Sequence, residues 1–309
     1  MDATVFGLIV ADLVAEPLDL RRPPPPGGLV LCNSIRLTTG GNVCNTGIAM
    51  AKMGLNVAAA GLVGADVLGS AVIERLSGLG VDTSAVFRTD KAQTAATVVA
   101  VEPGGERCFF HTQGANAFVD ADLFRRCIPT FKQSRWVQVG YFGLLEMLTP
   151  QLPDVLAELR RAAPDTRVAF DTVNPPASRA LLDPILPHLD LFAPSRTEAA
   201  ALTGETDPAK MVASFRRHMP RGVIGIKLDA DGCYLDDGAS AVTVPIYKVD
   251  VVDTTGAGDS WFGGLLAGLV KGMPLDRAGR FANRVAADCC TALGASDGIR
   301  TYEDTLGRV

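Results

Sequence analysis

The sequence predicts an α/β protein, with a largely parallel sheet and helices packed on both faces. Three observations carry that expectation. Short apolar runs alternate with helical patterns for most of the 309 residues, as repeated βαβ units require. Capping chemistry recurs where the pattern changes: Thr149-Pro150 and Asp207-Pro208 each set a capping side chain before a proline. Hydrophobic residues reach 48% and charged residues 20%, enough apolar material for a large core and too much for a disordered chain.

In chain order, Thr4–Val10 reads as a strand, Val43–Met53 as a helix, Val57–Val63 as a strand and Leu68–Leu79 as a helix. Strand Trp136–Val139 precedes helix Leu152–Arg161, and strand Arg167–Asp171 precedes helix Ala177–Leu186. Strand Leu189–Ala193, helices Glu198–Leu202 and Ala209–Met219, and strand Val223–Lys227 follow. Two late helices, about Ala257–Lys271 and Leu275–Leu293, close the body.

Two regions break the alternation. One is Asp12–Thr39, with a stiff turn at Arg21-Arg22-Pro23-Pro24-Pro25-Pro26-Gly27-Gly28. The other is Thr94–Thr112, read as strands Thr94–Val101 and Arg107–Thr112 around the turn Glu102-Pro103-Gly104-Gly105-Glu106. Together they predict a small antiparallel sheet projecting from the body, serving as a lid or an oligomer contact; edge hairpins on the main sheet are the plainer alternative. The chain reads as one domain over residues 1–309, with the lid at about 12–39 and 94–112.

Composition excludes several classes of function. The net charge is −5 with no basic stripe, so nucleic acid is not an expected partner. The seven cysteines, odd in number and without a C-x-x-C pair, read as reduced thiols of a cytoplasmic protein, with neither a disulfide frame nor a zinc site. Met1–Val5 lacks a basic n-region, and no apolar run is long enough to span a bilayer, so neither a signal peptide nor a membrane segment is expected.

The segment Asp253-Thr254-Thr255-Gly256-Ala257-Gly258-Asp259 carries the most chemistry. It opens an apolar helix, whose first N–H groups lack internal partners and carry partial positive charge. Glycines there let a phosphate approach the backbone. Asp259 then stands where a substrate hydroxyl would lose its proton, so the pattern suggests phosphoryl transfer. Read plainly, the same segment is a turn with a dipole-favoured aspartate.

Further pieces are weaker singly. Gly40-Gly41-Asn42-Val43-Cys44-Asn45 opens a helix, and Asn45 offers both a donor and an acceptor to a polyhydroxylated ligand. Asp12 follows the first strand, where open α/β sheets carry ligand groups. Ser195-Arg196-Thr197-Glu198 reads as a capping box, or as a carboxylate near a metal that bridges phosphates. Other motifs fail: Gly294-Ala295-Ser296-Asp297-Gly298 has no histidine downstream for a hydrolase triad, and there is neither a P-loop nor a dinucleotide fingerprint.

In this order and spacing the motifs resemble the ribokinase-like (PfkB) family of carbohydrate kinases over nearly the whole chain. Gly40–Asn45, continued by Ala49–Gly64 and Asp66-x-x-Gly69, is similar to the family's N-terminal signature, and Asp253–Asp259 to its C-terminal one. The resemblance implies a doubly wound, Rossmann-like α/β domain whose β lid often serves dimerisation. It implies Asp259 as general base, with the backbone of Gly256, Ala257 and Gly258 as anion hole. Asp12, Gly40, Gly41 and Asn45 would hold a sugar. Lys227, Asp229 and Gly232 would form the nucleotide turn, Ser195 would sit close by, and Asn283 would flank the adenine. Glu198 would serve Mg²⁺, while Asp253 and Thr255 match the surroundings of K⁺. The implied cofactors are therefore ATP and Mg²⁺, with K⁺ as an addition. Serine replaces the family's asparagine at Ser195, and Asp229 stands where glycine is usual.

The expected function is ATP-dependent phosphorylation of a hydroxyl, foremost a hydroxymethyl group, on a sugar or sugar-like molecule by a homodimer. A nucleoside kinase is the alternative within the family, prompted by Phe109, Phe110 and His111. A non-catalytic sugar-binding protein is the alternative outside it, prompted by Ser195 and Asp229.

Overall fold

The computed structural model describes residues 1–309 apart from 23, 104–105 and 174–177. Pro23 of the proline run, Gly104-Gly105 of the predicted turn and Ala177 at a predicted helix start therefore lie outside the described residues. The strands are β1 Ala3–Gly7, β2 Val10–Glu16, β3 Ser34–Gly40, β4 Val57–Gly64, β5 Asp82–Thr89, β6 Ala96–Val101 and β7 Arg107–Thr112. They continue as β8 Trp136–Val139, β9 Arg167–Phe170, β10 Leu191–Phe192, β11 Val223–Lys227, β12 Cys233–Asp236 and β13 Ala241–Val244. The helices are α1 Gly41–Lys52, α2 Val67–Gly78, α3 Ala121–Phe131, α4 Leu152–Ala162 and α5 Arg179–Leu182. After them come α6 Arg196–Thr203, α7 Pro208–Arg216, α8 Ala257–Val270, α9 Leu275–Cys289 and α10 Tyr302–Leu306.

Among the described residues, nine strands form one sheet in the order β13-β12-β11-β10-β9-β8-β1-β4-β5. It is parallel except at the β11-β12-β13 edge, which is an antiparallel meander. β1 is central, with β4 on one side and β8 on the other. Successive crossovers run in opposite directions from β1, so the crevice at its carboxyl end is the place where such sheets bind ligands. β1 also shows the two-sided burial of a doubly wound fold. Phe6 enters a core with Phe124, Phe131 and Phe170, while Val5 enters a core with Ile48, Phe262 and Phe281.

A second sheet, in the order β3-β2-β6-β7, is the lid. β2 and β6 run parallel, so it is not wholly antiparallel as the sequence suggested. Its register places Leu37, Leu13, Val98 and Phe110 in one row across all of its strands, on the face turned away from the body. Ile35 at 67% and Phe110 at 59% exposure are the most open apolar side chains of that face.

Most of the predicted elements recur with ends shifted by one or two residues, as helix fraying leads one to expect. The departures are local. β5, α3, the β12-β13 hairpin and α10 escaped the reading of the sequence. α3 holds a proline, Pro129, near its C-terminus, which masks a strongly amphipathic helix. The segment up to Leu186 that was expected to be one helix is α5, ending at Leu182, with a 3₁₀ turn at Leu186–His188 beyond it. The last long helix stops at Cys289, short of Leu293.

α8 explains its own composition. It packs against α1 and α9, and a Cβ at Gly263 would lie 2.8 Å from the Cβ of Ala49. Glycine therefore lets two helices approach closely enough to bring α1 side chains to the start of α8. Gly263→Val is expected to cost about 1–3 kcal/mol through overpacking, read as a lower urea midpoint with an unchanged slope.

Candidate active site

The site gathers at the N-terminus of α8. Gly256 is the residue before the helix and has φ +74°, with a Cβ position only 2.5 Å from Ala295 Cβ, so no larger residue fits. This left-handed turn aims the first N–H groups outward. Ala257 N–H turns back to Thr254 O at 3.2 Å. The N–H groups of Gly256 and Gly258 have no protein acceptor among the described residues, which leaves them available to an anion.

Asp259, in the first turn of α8, is only 6% exposed. Its Oδ2 accepts hydrogen bonds from Asn45 Nδ2 at 2.9 Å and from the Tyr141 hydroxyl at 2.7 Å. Thr46 Oγ1 stands 3.5 Å from Oδ1. Burial pushes the carboxyl above its ordinary value of 3.8, while Asn45, Tyr141 and the charge of Lys227 restrain the rise. Burial and the neighbouring Asp259 charge push the Tyr141 hydroxyl far up, so it stays protonated and donates.

Two cavities meet at Tyr141, which lines both; Asp259 lines the larger, and its partner Asn45 lines the smaller. The smaller, of about 360 Å³, lies under the lid and is lined by Asp12, Gly40, Gly41, Asn45, Asp253 and Thr255, among others. The larger, of about 870 Å³, is lined by Ser195, Glu198, Lys227, Asp229, Gly232, Gly256–Asp259 and Asn283. The residues expected on the sugar side and those expected on the nucleotide side thus fall into two adjoining chambers.

Individual placements refine the expectations. Asp12 lies inside β2 on the cavity face of the lid, beside Thr97 and His111, and burial raises its pKa. Asn45 spends its amide N–H on Asp259, and its buried Oδ1 has no partner among the described residues, an acceptor open to a ligand hydroxyl. Ser195 and Glu198 form the full capping box, and Thr172 Oγ1 also donates to Glu198 Oε2 at 2.7 Å. Asp229 has φ +53°, the conformation for which glycine is suited and which aspartate tolerates. Asn283 spends its amide on protein partners: it accepts from Trp261 Nε1 and donates to Val244 O and Pro245 O. It shapes the chamber wall and pins the loop after β13 to α8 and α9.

Phe109 and His111 face the smaller cavity. Phe110, one residue between them on β7, faces the other way, so it does not stack on anything bound there.

Tyr141 and Arg107 escaped the reading of the sequence, and Lys227, expected in the nucleotide turn, makes a contact that the sequence did not suggest. Tyr141 follows β8 and holds φ +60°, a rare conformation for a bulky residue that turns its ring onto Asp259. Lys227 Nζ donates to Asp171 Oδ1 at 2.8 Å and lies 3.8 Å from where a Cβ of Gly258 would be. Burial drives Asp171 up to about 7 against the pull of Lys227. Arg107, at the start of β7, reaches across to Asp253 and Thr255. Arg107 is 146 positions from its partner Asp253, so nothing local in the sequence marks the pairing.

Comparison with known proteins agrees with this layout. The sequence model for the pfkB family carbohydrate kinases matches residues 2–301. The ribokinase of Haemophilus influenzae is 26% identical over 98% of this chain and 96% of its own length. The fructokinase of Salmonella typhimurium is 28% identical over 96% of this chain and 94% of its own. Among solved structures, Arabidopsis thaliana ribokinase complexed with ribose and ATP superposes with a TM-score of 0.80 at 22% identity, covering 99% of this chain and 97% of that one. The N-terminal and C-terminal signatures meet around one carboxylate, the sheet order and lid match the ribokinase fold, and the family match is nearly end to end: the chain belongs to the pfkB family of carbohydrate kinases.

Proposed function

We propose that this carbohydrate kinase transfers the γ-phosphoryl group of ATP to a hydroxymethyl oxygen of a sugar or sugar-like substrate, with Asp259 as general base. The observation that carries the reading is the position of Asp259. It lines the nucleotide-sized chamber directly after the Gly258 N–H, and its hydrogen-bond partners Asn45 and Tyr141 line the sugar-sized one.

The substrate hydroxyl would lie against Asp259, with other hydroxyls on Asp12 and on the unpaired Oδ1 of Asn45. Asp259 takes the hydroxyl proton as the oxygen bonds to the γ-phosphorus, and the bond to the ADP oxygen breaks. The N–H groups of Gly256 and Gly258 face the charge that gathers on the transferring group, and the nearby Lys227 ammonium adds to their field. ATP would occupy the larger chamber, over the turn from Asp229 to Gly232 and against the wall that Asn283 holds. Glu198, one of the carboxylates that line that chamber, would serve Mg²⁺ as a hard oxygen ligand. Such an ion supplies charge neutralisation across the phosphates. The outer face of the lid, with its row Leu37-Leu13-Val98-Phe110, suits a second copy of the chain as partner.

A nucleoside is the second reading for the acceptor, favoured by Phe109 and His111 facing the smaller chamber.

Asp259→Asn is expected to lower turnover about 10²–10⁴-fold while isothermal titration still detects ATP. Normal turnover in that variant would remove Asp259 from the base role. The same variant tests the cost of the buried charge. Because burial raises the folded-state pKa of Asp259, the stability tied to its protonated form is present below 3.8 and lost as pH rises through the raised value. Asp259→Asn should therefore unfold at least as high as the wild type at neutral pH, with the gap closing toward acid.

Tyr141→Phe removes a hydrogen bond that lowers the pKa of Asp259. The acid limb of kcat/KM against pH is expected to move to higher pH; an unmoved limb would show that the hydroxyl does not tune the base. Phe110→Glu is expected to yield monomers in sedimentation with turnover of small sugars retained, and an unchanged mass would place the subunit contact elsewhere.

A further inference from the structure

The resemblance assigns Asp253 and Thr255 to a monovalent cation beside the anion hole, yet their donor set does not fit one. Asp253 is 4% exposed, and both of its carboxylate oxygens are already met by N–H donors. Oδ1 accepts from Thr255 N at 2.7 Å and from the Arg107 guanidinium, and Oδ2 accepts from Gly294 N at 2.7 Å. Arg107 also donates to Thr255 Oγ1 at 2.8 Å. Behind the turn, the thiol of Cys289 faces the carbonyl oxygens of Thr255 and Ala295 at 3.5 and 3.3 Å. A bound alkali ion needs oxygen lone pairs directed at it, and here three of the roughly four acceptor sites of the Asp253 carboxylate already receive hydrogens.

The charge balance is nonetheless the one that phosphoryl transfer needs. An unpaired Asp253 carboxylate three residues before Gly256 would repel an incoming phosphate. A permanent cation on that carboxylate cancels the repulsion, and a guanidinium keeps its charge at all working pH values. Arg107 is only 14% exposed in its side chain, so the pair is screened little by solvent.

From this we infer that Arg107 is a built-in replacement for the monovalent cation, delivered by the lid strand β7 to the turn that forms the anion hole. This rests on the kinase reading of the same turn. It makes lid position and anion-hole charge one variable: when β7 withdraws, Asp253 loses its counter-charge. The wild-type enzyme is accordingly independent of K⁺, and loss of Arg107 opens a carboxylate that K⁺ can occupy.

The test compares wild type with Arg107→Met, and with Arg107→Gln should the first not fold, in KCl and in N-methyl-D-glucamine chloride at equal ionic strength. Thermal unfolding without substrate is one readout and ADP release with Mg·ATP and a sugar panel is the other. Wild type should show no K⁺-specific change in either. The variant should lose about tenfold or more in turnover, the worth of one charge-assisted hydrogen bond, and K⁺ should raise its unfolding temperature and restore part of the turnover. K⁺-specific stabilisation or activation of the wild type would overturn the inference. So would a variant that responds to K⁺ in neither readout, whether impaired or not. Absence of turnover in every sample would count against the kinase reading, and the unfolding readout would still decide the cation question.

Discussion

The Asp259 carboxylate lies almost wholly out of water, and much of the molecule is arranged around the cost of charging it. An isolated buried charge is penalised by several kcal/mol unless donors surround it. Asp259 receives donors from two separate elements, α1 through Asn45 and Thr46 and the end of β8 through Tyr141. It also lies in the first turn of α8, where the helix dipole favours a negative charge. Bringing α1 that close requires the small residues of α8, and holding Tyr141 in place requires an unusual backbone conformation after β8. Packing, strain and chemistry therefore converge on one side chain.

The same logic extends outward along the carboxyl ends of the strands. Asp171 follows β9, Glu198 lies in the first turn after β10, and Lys227 ends β11. Lys227 pairs with Asp171 and thereby sets a cation beside a second buried acid. Burial acts oppositely on the two groups: it pushes the Asp171 carboxyl up and the Lys227 ammonium down, and the neighbouring acids Asp171 and Glu198 more than offset it for Lys227, leaving its pKa raised. The result is a polar floor beneath the larger chamber, in which Lys227 is paired with Asp171 and Glu198 is held by the Ser195 N–H and the Thr172 hydroxyl. The lid contributes a mixed inner face over the smaller chamber, where Asp12, Thr97 and His111 stand among Val14, Val99 and Phe109, an apolar outer face, and one guanidinium joined to the turn before α8.

Much of the fold was legible because burial on both faces of a parallel sheet writes long apolar runs, and helices between them write a 3.6-residue period. Trp136–Val139 and Val223–Lys227 were readable to the residue for that reason. α3 was not, because Pro129 interrupts a pattern that tertiary packing of Leu123, Phe124, Cys127 and Phe131 overrides. The β12-β13 hairpin was missed because its strands are short and lie at the edge of the sheet, where only alternate residues are buried.

For the site, the sequence by itself determined the residues whose role follows from local backbone. Gly256 and Gly258 mark the start of a helix, Asp259 falls in its first turn, and Ser195 with Glu198 caps α6. These are statements about neighbours in the chain, so spacing suffices to read them. What only the tertiary structure decided are the pairings across it: Tyr141 and Asn45 on Asp259, Lys227 on Asp171, Arg107 on Asp253, and Asn283 turned to the protein's own carbonyls. Each joins elements tens to hundreds of positions apart, through side chains that are individually ordinary. Their meaning comes from desolvation and distance, which exist only once the sheet has brought the strand ends together.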